Sequence, residues 1–167
     1  MASPAHAQRL AVTDDAGDTF DRGLDMTRVT FSNRDRAVAS KLRFARERPG
    51  DVILLVSARH GSAVVIVSEH RRRGLDNTYI VGRDGASACG GLTSDWDRKA
   101  ARMQVRMPAR CLQAGNYGAI CGWTLTEGLH GVSDVDYAPE KRNGDIRLTS
   151  MDSSRLTNRN ACSGLRR

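Results

Sequence analysis

The stretch from Cys89 to Leu112 constrains this chain more than any other. Within it Ala101, Met103, Val105 and Met107 alternate with Arg102, Gln104 and Arg106. A period of two belongs to a strand with one face in a core and the other in water. A slip of one residue would bury two guanidinium groups without partners and expose the methionines, so the alternation sets the register as well as the strand. Pro108 ends the strand, and a cysteine stands on either side of it. A tight turn over residues 94–99 brings a neighbouring strand alongside, which carries Cys89 to Cys111 and lets a disulfide close.

The segments before it read as strands in succession. Residues 24–32 are rich in Thr, Val and Phe, Asn33-Arg34-Asp35 turns the chain, and residues 37–44 alternate Val38, Leu42 and Phe44 against Lys41 and Arg43. Together they predict a hairpin. Pro49-Gly50 marks the next turn. Residues 52–57 are an almost unbroken apolar run, as in a strand buried on both faces, and residues 63–67 repeat it. A polar loop over 71–77, a strand over 78–83 and the turn Asp84-Gly85 follow. Residues 117–125 predict a last core strand with Trp123 inside, its glycines inviting a bulge. No segment keeps a helical period, so the pattern predicts an all-β, antiparallel sandwich.

A chain of 167 residues, 40% of them apolar, suits one domain. Its expected extent is 9–148, with 1–8 a residual export segment or disordered stretch and 149–167 a polar tail. The small-x-small sequence Ala5-His6-Ala7 has the form that precedes signal-peptidase cleavage. Four cysteines, none in a Cys-x-x-Cys pair, fit two structural disulfides better than a redox or zinc site. Of the three pairings, Cys89–Cys111 with Cys121–Cys162 is preferred. No run of about 18 apolar residues predicts a membrane-spanning helix.

A resemblance adds to this reading. Asp14-Asp15-Ala16-Gly17-Asp18, Leu24-Asp25-Met26-Thr27-Arg28-Val29 and Met107-Pro108-Ala109-Arg110-Cys111-Leu112 resemble elements of small exported proteins of high-GC Gram-positive bacteria. In that group an Asp-x-x-Gly-Asp start, a Leu-Asp-hydrophobic strand and a Val-Pro-x-x-Cys-Leu element recur in a jelly-roll-like sandwich similar to carbohydrate-binding and DOMON-type domains. Met107 replaces the usual Val, and the match ends near residue 138. The resemblance implies a disulfide-braced sandwich and export, with no activity attached.

The residues leave four functional readings. No nucleophile, base and orienting group fall into a known catalytic pattern, so a non-enzymatic role is expected. A binding module would use aromatic rings, and Trp96, Tyr117 and Tyr137 are the candidates for stacking on sugars. The Arg-rich surface, on a chain of net charge +7, supports a patch for anionic wall polymer, nucleic acid or a heparin-like polyanion, with Arg71, Arg72 and Arg73 joined by Arg34 and Arg36 in loops that a sandwich could gather at one end, against the competing reading of plain solubility. Aromatics are not interleaved with these arginines, which argues against nucleic acid bound by stacking. A braced loop around Arg110 would suit a protease inhibitor. Asp14, Asp15 and Asp18 around Gly17 form at most a weak calcium site, against the competing reading of a solvated turn. Asp134 and Asp136 could join them only if the two ends of the domain are neighbours.

Overall fold

The structure, a computed structural model, describes residues 8–19, 23–34, 36–58, 64–82, 85–112, 119–128, 131–138, 141–142, 145–146 and 149–152. The strands are β1 (Gln8–Thr13), β2 (Met26–Arg34), β3 (Ala37–Phe44), β4 (Gly50–Ala58), β5 (Val64–His70), β6 (Asn77–Gly82), β7 (Gly85–Ser87), β8 (Thr93–Asp97), β9 (Arg102–Pro108), β10 (Ala119–Gly128), β11 (Gly131–Ala138), β12 (Lys141–Arg142), β13 (Asp145–Ile146) and β14 (Thr149–Asp152). Sheet A has the order β1-β2-β3-β9-β8, and sheet B the order β11-β10-β4-β5-β6-β7, with β14 also on β10. Every pairing in both sheets is antiparallel.

The two sheets enclose one core. Val29, Phe31, Val38, Leu42, Met103, Val105 and Met107 come from sheet A, and Val52, Leu54, Val56, Val64, Ile66 and Ile80 from sheet B. The alternation in β9 has the predicted phase: Met103, Val105 and Met107 are buried while Arg102, Gln104 and Arg106 are exposed. Ala101 lies outside the strand, in a turn, with φ of 47°. That turn spans 98–101 rather than 94–99, because Thr93–Asp97 is itself the strand β8, paired residue for residue with β9. β4 is not buried on both faces as its apolar run suggested. Val52, Leu54 and Val56 face the core, whereas Ile53 and Leu55 are half-buried on the outer side beside Val65 and Val67. Trp123, read as core, pairs with Leu55. Residues 149–152, expected in the tail, add a strand to β10 because its Ala119–Gly122 edge lies beyond the reach of β11.

Polar groups tie the sheets together across the β8 edge. Ser94 Oγ meets Thr78 Oγ1, which lies 3.0 Å from Ser68 Oγ, and Trp96 Nε1 donates to that same Ser68 oxygen at 3.3 Å. At the opposite edge Thr126 Oγ1 donates to the Leu24 carbonyl, 2.7 Å away. β4 begins at Gly50 because no Cβ fits there: it would stand 2.7 Å from the Glu127 carbonyl and 2.9 Å from Leu24 Cδ1. Cys89 and Cys111 are bridged as predicted, with Cα atoms 6.0 Å apart, closing the open end of the β8–β9 hairpin. Cys162 lies outside the described residues, and so does the expected Cys121–Cys162 pairing.

Candidate functional site

The outer face of sheet A is built by cross-strand register. Residues directly opposite in antiparallel strands share a face and stand about 5 Å apart. One row across the five strands reads Thr13, Arg28, Arg43, Arg102, Asp97. The next reads Ala11, Thr30, Lys41, Gln104, Asp95, and the third reads Arg9, Ser32, Ala39, Arg106, Thr93. Six cationic side chains therefore share a face with two carboxylates. Arg28, Arg43, Arg102 and Asp97 of the first row and Thr30, Lys41, Gln104 and Asp95 of the second, with Arg9 from the third, border a trough of about 510 Å³, with Leu42 and Met103 in its wall.

Three guanidinium groups side by side are unusual. Like charges directly opposite on a sheet destabilise it. Arg102 is relieved by Asp97 at 2.7 Å, and that hydrogen bond, with the Ala100 N–H, holds the Asp97 carboxyl below the ordinary carboxylate range. Among the described residues no ion pair engages Arg9, Arg28, Lys41 or Arg43. The face has the charge and the concavity to take an extended anion.

The arginines singled out in the sequence do not form the expected patch. The Arg34–Arg36 turn and the Arg71–Arg73 turn lie at opposite ends of the sandwich, because two full strands, β3 and β4, and β5 after them separate the two reversals. Arg71 is already partnered: its guanidinium bonds to Asp51 and lies 3.6 Å from Glu69. The Asp51 contact raises its pKa against the opposing effect of burial. Arg72 and Arg73 are exposed at the tip.

Trp96 is not the exposed ring that its acidic neighbours suggested. Its position opposite Met103 turns it toward the core, where it stacks on His70 at 3.9 Å and on Phe44 at 5.5 Å between centroids. Tyr117 lies outside the described residues, and Tyr137 sits on β11 opposite Leu125. Arg110 is exposed in a single 3₁₀ turn over Ala109–Cys111, its guanidinium bonded to the Gly90 carbonyl. That is a compact conformation, unlike the extended segments that dock on an exposed strand edge.

No family model, curated protein or solved structure matches this chain. The reading of the site therefore stands on its chemistry alone.

Two further clusters flank the cationic face. His70, fully buried, faces Glu47 through Nε2 at 2.9 Å and Asp76 through Nδ1 at 3.0 Å. A neutral imidazole has one N–H, so it can donate to only one of these carboxylates. Arg98 bonds both acids and the Arg71 carbonyl, closing the cluster over the ring. Buried between Glu47 and Asp76 and stacked on Trp96, His70 ties the loops before β4 and after β5 to that ring. The sequence reading missed it because Glu47, His70, Asp76 and Arg98 come from four separate segments.

Asp76 gives this cluster a pH dependence. Burial disfavours its charged form, but the Arg71 N–H, His70 and Arg98 outweigh that and hold its pKa below 3.8. A carboxylate lowered in the folded state stabilises above its unfolded pKa, and the stabilisation is lost as pH falls through the folded value. Asp76→Asn should cost about 1 kcal/mol at neutral pH, discounted for partial exposure. Urea midpoints should converge with those of the parent as pH falls through and below the ordinary carboxylate range. A constant difference across that range would show that Asp76 does not titrate in this window.

The second cluster is acidic. Asp14 and Asp18, in the β1–β2 loop, meet Asp136 of β11, with one carboxylate oxygen from each lying within 4.8 Å of the others. The late acidic group thus does reach the early one, through Asp136. Asp15, the third residue of the expected site, is exposed and stands apart from this group.

Proposed function

We propose that this domain is an exported, non-enzymatic binding module that holds an anionic polymer, such as an acidic polysaccharide or wall polymer, across the outer face of sheet A. The observation that carries the reading is the row Arg28, Arg43, Arg102, in which three like charges are set directly opposite one another on adjacent strands. Folding alone does not favour that arrangement. A polyanion relieves the repulsion and occupies the trough between Arg9, Lys41 and the row. The disulfide supports an oxidising compartment. Among the described residues no helix is long and apolar enough to cross a membrane.

Binding of polygalacturonate, inorganic polyphosphate and neutral mannan to the oxidised protein, each at low and high salt, tests the proposal. Either polyanion should bind at low salt and weaken steeply as salt screens the face, while mannan should not bind. Reversing two charges, as in Arg28→Glu with Arg43→Glu, changes attraction to repulsion at two points worth ~1 kcal/mol each, so affinity should fall by more than about tenfold. Arg72→Glu with Arg73→Glu, in the β5–β6 turn beside Arg98 rather than on the face, should cost less. Equal loss from both pairs, or equal binding of mannan, would remove the reading.

A further inference from the structure

We infer that the polymer held on sheet A is a polyuronate, with free hydroxyls as well as carboxylates on its units, and that Asp95 and Gln104 are the residues that select it. The inference rests on the reading of the face given above and adds to it a choice among polyanions. Asp95 is out of place in a trough built only to attract anions, because a carboxylate in the wall lowers the affinity for any of them. Asp97, beside it, has another duty: it accepts from Arg102 at 2.7 Å and from the Ala100 N–H at 3.1 Å. Asp95 has none of this kind. It is exposed and borders the trough, and among the described residues no hydrogen bond or ion pair engages its carboxylate.

Cross-strand register places Asp95 at the end of the row Thr30, Lys41, Gln104, Asp95, which runs beside the row Arg28, Arg43, Arg102. The rows are two residues apart along each strand, or about 7 Å at the rise of a strand. They differ in chemistry. The guanidinium groups present paired donors to a carboxylate or phosphate. Gln104 offers both a donor and an acceptor, whereas the Asp95 carboxylate only accepts. A polyanion without hydroxyls has nothing to donate to Asp95. A uronate ring carries its carboxylate on one edge and hydroxyls on the opposite edge, so a unit that bridges the rows meets Arg43 or Arg102 on one side and Gln104 and Asp95 on the other.

The experiment compares polygalacturonate with polyacrylate, a polycarboxylate without hydroxyls, on the oxidised full chain at matched salt. Gln104→Ala leaves the charge of the face unchanged, so it should weaken polygalacturonate by about threefold or more and leave polyacrylate as it was. Asp95→Ala removes a repulsion and should tighten polyacrylate. Polygalacturonate should bind this variant less tightly than the parent, because hydrogen bonds to a charged acceptor outweigh one screened repulsion. Both positions are exposed, and polyacrylate binding by the same preparations shows that the variants are folded. Tightening of both polymers by Asp95→Ala, with no response of either to Gln104→Ala, would overturn the inference and leave the anionic-polymer reading intact. Failure of the parent to bind either polymer would overturn both together.

Discussion

Val105→Asp should leave the domain unfolded at room temperature. Val105 is 1% exposed at the centre of β9, opposite Ser40 of β3 and Ser94 of β8. Losing the buried side chain removes about 1.5–3 kcal/mol of apolar transfer energy. Burying the new carboxyl adds about 1–3 kcal/mol even when it enters protonated, and more when charged. The sum rivals the ~5 kcal/mol at the low end of domain stabilities. Two controls separate register from general fragility. Arg106→Glu, one residue along but on the outer face, should cost less than about 1 kcal/mol. Val105→Thr should cost less than the aspartate, because the Ser40 hydroxyl opposite it is buried and has no partner among the described residues, and a threonine hydroxyl could supply one. Circular dichroism and urea unfolding read all three. A folded Val105→Asp beside an unfolded Arg106→Glu would mean that the buried and exposed faces of β9 are exchanged.

That register was legible because it is local. The period of β9, the β2–β3 hairpin around Asn33-Arg34-Asp35 and the Cys89–Cys111 bridge each depend on residues close together or on one reversal of the chain. The features that make the site are not local. Arg28, Arg43 and Arg102 each look like ordinary solvated strand residues, and only the pairing of β3 with both β2 and β9 lines them up. Asp136 joins Asp14 and Asp18 because β2 lies across β10 and β11, a contact between sheets that no sequence period encodes. Trp96 was misplaced for a smaller reason. With the turn set at 94–99, β8 disappears; with the turn at 98–101, the alternation continues across it and puts Trp96 opposite the buried Met103. Counting reversals would likewise have separated Arg34 and Arg36 from Arg71–Arg73, since successive antiparallel strands return to opposite ends.

Removing the bridge by Cys89→Ala with Cys111→Ala should lower stability by about 3 kcal/mol. The cysteines are 22 residues apart, and a crosslink over a loop of this length restricts the unfolded chain by about that amount. The native state loses more than a tether. Both cysteines are partly buried against the core, as are Leu92 and Trp96. Among the described residues β8 is an edge strand with β9 as its only sheet partner. What then holds it is the hydroxyl chain from Ser94 through Thr78 to Ser68 and the stacking of Trp96 on His70. β9 itself is secured between β3 and β8, with Met103, Val105 and Met107 in the core. The loss should therefore fall first on β8: amide exchange should accelerate across Thr93–Asp97 while β9 stays protected until global unfolding. Urea unfolding of the double variant, with exchange measured in the same buffer, gives both quantities. A midpoint unchanged from the oxidised parent would mean that the hairpin is held closed by packing alone, with the bridge contributing nothing to its stability.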